Sequence, residues 1–359
     1  MNFMKNIKIE HVAMPWGETC VKASYDDNAD FRLKGFKVII VKDSLNYNNE
    51  RLITIITRFP RCILPEINTH RVFSRNSASS RARNVRTTIG GVMEEPYVPI
   101  FSENHKGMSG EIITDDNKIK EATRLWLEAR DKAVESELKL LVGDKSVNAD
   151  DYKTILDDYY EHIYNNNTDD ESFNSRKLAL SIHKQNANRL IEPFMWHEAL
   201  ITSSYWDNFY NLRISNFAQP EIHALACLML SAATASKPVR RIAHIPFIND
   251  ECLTSENIDG KSWKDIRDIL MSSASECARI SYNDRSHLAN KEDNTILAER
   301  LLKDGHMSPL EHQALDINTF KRLLKMMPKD VIEHCNNKNN LLKGNLSDGW
   351  VQNRHILGN

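Results

Sequence analysis

Glycine is scarce in this chain: 12 of 359 residues, about 3% where ~7% is usual. Few positions are therefore left at which the backbone can wrap closely around a ligand. Neither G-x-G-x-x-G nor G-x-x-x-x-G-K-[ST] occurs, the two loops that cradle phosphates with main-chain N–H groups. If the protein holds a nucleotide, side chains must do the holding.

The rest of the composition is that of a folded, near-neutral protein. Lys+Arg number 47 and Asp+Glu 49, giving a formal net charge of −2, and 41% of residues are hydrophobic. A disordered polyelectrolyte is excluded, and no global charge favours nucleic acid as a partner. No apolar run approaches the ~20 residues of a membrane helix and the first residues lack a signal core, so a soluble, cytoplasmic protein is expected. The six cysteines (Cys20, Cys62, Cys227, Cys252, Cys277, Cys335) show no C-x-x-C spacing and read as reduced core thiols. His306, Glu311 and His312 resemble a metal cluster, but Pro309 interrupts the helix that shared ligation needs, so no metal is expected.

The order of patterns predicts an α+β protein, a mixed or antiparallel sheet flanked by helices. Residues 36–41 (FKVIIV) and 51–59 (RLITIITRF) are β-branched runs that read as a hairpin or two sheet strands. Residues 117–142 place apolar side chains at helical spacing, 159–174 reads as a polar surface loop, and 176–192 as a helix. Gln219–Ser236 begins a helix with Pro220 near its start, and two further helices occupy 261–282 and 293–305, the second stopped by Gly305. The polar stretch 248–262 is the best candidate boundary, dividing a core of 1–247 from a C-terminal segment of 248–359 that packs back to complete one unit.

The most informative stretch is THRVFSRNSASSRARNVR, residues 69–86. It carries Arg71, Arg75, Arg81, Arg83 and Arg86 among serines and Asn76, and no acidic residue occurs between Glu66 and Glu94. Concentrated guanidinium groups repel one another, and an anionic ligand relieves that repulsion. A phosphorylated small molecule suits such donors. A solvated basic loop is the alternative.

Residues 70–81 (HRVFSRNSASSR) resemble the R-H-R-x-x-S-x-N-E-x-S-x-R signature of the flavin-dependent thymidylate synthases. Four further stretches are similar to the same family: RLIEP (189–193), DNFYNLR (207–213) with AQPEI (218–222), ARISY (278–282) and GHMSPLEH (305–312). The last two follow the arginine motif here, whereas in compact members they precede it, so the chain resembles a longer, rearranged branch of the kind found in bacteriophages.

The resemblance implies an enzyme that transfers a one-carbon unit from 5,10-methylenetetrahydrofolate to C5 of dUMP, with FAD as hydride source and NADPH as its reductant, giving dTMP. It implies a homotetramer with sites between subunits. His70, Arg71, Ser74, Asn76, Asn208, His306 and Ser308 would then contact or support the flavin. Ser79 and Arg81, assisted by Arg189, would hold the nucleotide phosphate. Arg213 would polarise the uracil edge around N3 and is the expected catalytic residue. Without the family, Arg213 reads as a surface ion pair to Glu221, His306 and His312 as capping or core residues, and Trp196 and Trp206 as core. Thr69 stands where the signature has Arg, Ser77 where it has Glu, Ala82 where Tyr commonly follows, and Glu66 where a Gln often contacts nucleotide. These departures leave open hydroxymethylation of dUMP, action on dCMP, or a noncatalytic nucleotide- or RNA-binding role.

Overall fold

The β-branched runs pair into a sheet whose centre is dry on both sides. A computed structural model describes residues 1–357 apart from 82, 107–109, 143–146, 165–181, 281–290 and 337–344. Strands β1 (Ile7–Ala13), β2 (Thr19–Tyr25), β3 (Lys37–Leu45), β4 (Arg51–Pro60), β5 (Ser74–Ser77) and β6 (Trp196–Ser203) lie in the order β1-β2-β3-β4-β6-β5. Each neighbour in that path is antiparallel. A two-residue strand, β7 (Val239–Arg240), runs parallel to the end of β3. Between β3 and β4 the chain turns at Asn46–Glu50, where the Asn46 carboxamide oxygen accepts from the amides of Asn48 and Glu50 at 2.9 and 2.8 Å. Asn49 takes the left-handed backbone, φ 64°, which Asn tolerates better than most residues.

The helices in chain order are α1 (Leu64–Asn68), α2 (Val85–Glu94), α3 (Asp116–Val142), α4 (Tyr152–Tyr164), α5 (Lys184–Ala187) and α6 (Asp207–Arg213). They continue with α7 (Pro220–Ala235), α8 (Trp263–Arg279), α9 (Lys291–Lys303), α10 (Ile317–Leu323), α11 (Lys329–Asn336) and α12 (Asn353–Leu357). The α+β expectation holds, with helices flanking an antiparallel sheet. Residues Leu52 to Thr57 of β4 are all buried, which explains why this strand reads as an apolar run without alternation. One face packs on α7, whose apolar residues surround it almost completely, through Ile53, Ile55 and Phe59. The other face meets the C-terminal half: Ile56 packs with Cys277 and Ile280, and Leu52 with Ala314 and Trp350.

That C-terminal half carries its own small sheet of β8 (Ala243–His244), β9 (Ala314–Asp316) and β10 (Trp350–Gln352), in the order β10-β9-β8. Its first long helix, α8, opens with a capping box in which Ser262 and Asp265 answer each other's amides. The polar stretch 248–262 is tied to the main sheet, because buried Lys42 on β3 donates to Ile248 O at 2.9 Å and to Asp250 Oδ1 at 3.0 Å.

The structure corrects three sequence readings. Residues 159–164 continue helix α4, since Tyr159 and Tyr160 pack against the core that α2 and α3 share with it, so the polar loop does not begin there. Residues 165–174 lie outside the described residues, as do 176–181, Ser281, Tyr282 and Ala82. Residues 182–192 hold only the single turn α5 and the start of a 3₁₀ turn at Glu192–Phe194, because Pro193 and the needs of the following strand end helical pairing. Of the cysteines, Cys20, Cys227 and Cys277 are buried, but Cys62 and Cys252 are exposed and Cys335 is half-buried.

One buried group in this fold titrates unusually. Glu137 on α3 is fully buried beside Val134 and Leu138, and neither carboxylate oxygen has a hydrogen-bond partner among the described residues. Burial pushes its carboxyl up to about 8 from an ordinary 4.5. Between those two values the folded chain keeps a proton that the unfolded chain releases, so this group makes stability fall as pH rises through the window. Glu137→Gln should flatten that part of the slope when urea unfolding is compared at about pH 5 and about pH 8. An equally steep slope in the variant would contradict the assignment.

Candidate functional site

The arginine motif is built onto the sheet edge. In β5, Ser74 and Asn76 are buried while Arg75 and Ser77 are half-buried, the period-2 alternation of a strand. Ser74 Oγ donates to Asn345 Oδ1 at 2.9 Å and accepts from Gln352 Nε2 at 2.9 Å. Asn76 Nδ2 donates to Cys277 O at 2.6 Å. The two side chains thus anchor the C-terminal half to the edge strand. Beyond β5, the loop is held by Ala78 N to Glu198 O at 3.0 Å, Arg81 N to Ser79 Oγ at 3.3 Å, and Asn188 Nδ2 to Ser80 O at 2.8 Å.

A second element reaches the same place from 230 residues further along. Helix α9 ends at Gly305, φ +73°, with Gly305 N bonded to Leu302 O at 3.0 Å and His306 N to Leu301 O at 2.8 Å. This 5→2 and 6→1 pair is a Schellman stop, and it delivers His306 immediately after the helix. Ser308–Glu311 then forms a 3₁₀ turn whose next residue, His312, is fully buried. His312 Nδ1 shares a 2.8 Å hydrogen bond with Thr202 Oγ1 on β6, and burial holds its imidazole neutral, down to about 3.

Between these elements lies a cleft of about 490 Å³, within the size range of small-molecule sites. Asn76, Ser79 and Arg81 line one wall, and Leu301, His306, Ser308 and Pro309 line another. Among the described residues no carboxylate lines it, and the exposed Arg81 guanidinium makes no ion pair with any of them. One cation, two hydroxyls and imidazoles without a competing acid are the donor set of a phosphate site.

Five of the sequence-predicted residues, Asn76, Ser79, Arg81, His306 and Ser308, therefore share one cleft. The others do not line it. Arg71, Arg189 and Asn208 are exposed; Ser74 faces Asn345 and Gln352. Arg75 donates to the carbonyls of Ile67 and His70 at 3.3 and 2.9 Å, closing the end of α1, and Arg86 pairs with Asp157 at 2.6 Å. So the cluster of guanidinium groups is partly answered within the protein, which the bare run of charge could not show. His183 and Gln185 also line the cleft; the polar HKQN run shortly before Arg189 was the signal for them, hidden by reading that region as a helix.

Arg213 ends α6 away from the cleft. Its Nη1 donates to Glu66 Oε2 at 3.1 Å, its Nη2 to Thr69 Oγ1 at 3.1 Å, and its Nε to His70 Nε2 at 3.0 Å. The ion pair is with Glu66, not with Glu221, because Glu221 is buried against Tyr97 and Ile100 N. Two positions that depart from the signature, Glu66 and Thr69, thus both bind this guanidinium. Burial, then the nearby Arg213 and Arg75, depress His70 to about 4, so it is neutral and accepts at Nε2. Trp196 and Trp206 are core residues, as read from the sequence.

The cleft's donors fit the phosphate-bearing part of a nucleotide or of a flavin dinucleotide, with Asn76, His306 and Ser308 the residues available to the latter. His70 Nε2 and Ser74 Oγ are committed to protein partners. Arg213→Ala should lower unfolding free energy by roughly 1–3 kcal/mol through loss of these charge-assisted bonds and raise the His70 pKa toward its ordinary range, read by NMR titration. An unchanged His70 titration would contradict the clasp. No protein-family model matches the chain, and no curated protein matches it.

Proposed function

We propose that the cleft between residues 74–81 and 305–312 binds the phosphate of a pyrimidine deoxynucleotide, and that the chain is an enzyme of the flavin-dependent thymidylate synthase kind with that family's fold. The observation that carries this reading is convergence: two stretches far apart in sequence, each similar to a segment of that family, meet at one cleft lined by Arg81, Ser79, Ser308 and His306. The reaction transfers the methylene carbon of 5,10-methylenetetrahydrofolate to C5 of dUMP, with loss of the C5 proton. Bound FAD, once reduced by NADPH, would supply the hydride that converts the transferred carbon to methyl.

In this reading Arg81 neutralises the phosphate, Ser79 and Ser308 donate neutral hydrogen bonds, and His306 closes the outer wall. Asn76 supports the loop through its bond to Cys277 O rather than touching the nucleotide.

A second product is favoured by one observation. Glu66 and Thr69 occupy the Arg213 guanidinium, which removes the free cation expected to polarise the base at N3. A scaffold so altered suits quenching of the transferred carbon by water, which yields a hydroxymethyl group and needs no hydride, on dUMP or dCMP.

Purified protein incubated with FAD, NADPH and methylenetetrahydrofolate should bind FAD and convert dUMP or dCMP to a product whose mass distinguishes methyl from hydroxymethyl. Arg81→Ala should raise the nucleotide KM by about tenfold or more while leaving the fold intact. Failure to retain FAD together with no conversion of either nucleotide would contradict the enzyme, and salt-sensitive RNA binding without turnover would assign the noncatalytic role instead.

A further inference from the structure

The cleft has a third wall. Residues 182–188 run as a short strap from α3 to the arginine loop: Ile182 N donates to Leu140 O at 3.0 Å, and buried Asn188 donates through Nδ2 to Ser80 O at 2.8 Å. With both ends of the strap fastened, His183 and Gln185 are set beside Ser79 and Arg81 in the cleft lining.

His183 stands immediately before α5, and its Nδ1 accepts from the amide of Gln185 at 3.2 Å. An amide N–H can only donate, so Nδ1 is the lone-pair nitrogen of the neutral ring and the proton is on Nε2. Ser, Thr, Asp and Asn are the residues that usually accept such an amide. A histidine does the same with one nitrogen and carries a second polar atom further out. His183 is an exposed residue, so no demand of core packing accounts for its ring.

Arg81 is the one Arg or Lys side chain among the described lining residues. A phosphate presents more acceptor sites than a single guanidinium fork can fill. A neutral N–H adds a hydrogen bond to another oxygen without setting a second full charge beside Arg81.

We propose that His183 binds the ligand of this cleft, donating Nε2–H to a phosphate oxygen as a neutral imidazole whose tautomer the Gln185 amide fixes. The binding group is the ring, since the Gln185 amide is already engaged with it. The assignment rests on the nucleotide reading given above and adds to it a residue that lies outside every stretch similar to the family.

Two variants separate the donor from the turn. His183→Asn places an oxygen where Nδ1 stands and removes the donor; His183→Gln places an amide –NH₂ near the position of Nε2 and removes the acceptor. In isothermal titration of the full chain, His183→Asn should bind dUMP about tenfold more weakly, while deoxyuridine, which has no phosphate, should show no difference between variant and wild type. His183→Gln should recover most of the lost dUMP affinity. Nitrogen NMR of the free, histidine-labelled protein at about pH 8, where an ordinary imidazole is neutral, should show His183 with its proton on Nε2. Unchanged dUMP affinity in His183→Asn, equal losses in the two variants, or a proton on Nδ1 would overturn the proposal while leaving the cleft a nucleotide site. Wild-type protein that binds no dUMP would overturn the nucleotide reading, and this assignment with it.

Discussion

The arrangement of the molecule depends on a buried polar chain that runs across the sheet. Thr202 Oγ1 lies 2.6 Å from Thr54 Oγ1 and 2.8 Å from His312 Nδ1; Thr54 Oγ1 lies 2.7 Å from His244 Nε2, and His244 Nδ1 lies 2.8 Å from Ser44 Oγ. All five side chains are fully buried. Burial holds both imidazoles neutral, with His244 well below its ordinary range; His244 uses both ring nitrogens on fixed partners, and His312 uses Nδ1. In a dry interior a half-satisfied chain of this kind is costly, which ties β3, β4 and β6 to the C-terminal half in a single register. The turn before His312 is thereby set beside β5, and the cleft exists because of that placement.

Charge is then divided between two places. Among the described residues, no acid lines the cleft and Arg81 remains available there. Around a larger cavity beside the start of α7, Glu103, Glu111 and Glu221 gather, with no Lys or Arg among the described lining residues. The other guanidinium groups of the arginine stretch are not surplus: Arg75 ends a helix and Arg86 pairs with Asp157. Arg213 clasps α6 to the segment carrying Glu66 and His70. A near-neutral chain can therefore carry two cavities with differently charged linings without large net fields.

Much of the fold was legible in residue pattern. The β-branched runs became β3 and β4, and the periodic segment 117–142 became α3 almost to its ends. Pro220 and Gly305 marked a start and a stop because each has a local backbone preference that tertiary packing did not override. What failed was long-range. Residues 159–164 look polar but are helical, since a shared core with α2 and α3 compensates for a weak local pattern. The cleft residues were found at 76, 79, 81, 306 and 308, yet the sequence could not say that Arg213 would be captured by Glu66 and Thr69, because that contact joins positions more than 140 apart. His183 and Gln185 stand in a polar run visible in the sequence, but their place beside Arg81 is set by the fold.

The central claim is that residues 74–81 and 305–312 form one phosphate-recognising cleft. The direct measurement is an NMR titration of protein labelled in its histidine rings, following His306 and His183 as dUMP is added and, separately, deoxyuridine. Both resonances should move with dUMP and stay in place with the unphosphorylated nucleoside. If neither moves with dUMP, or if deoxyuridine moves them equally, the cleft does not recognise phosphate and the account is wrong.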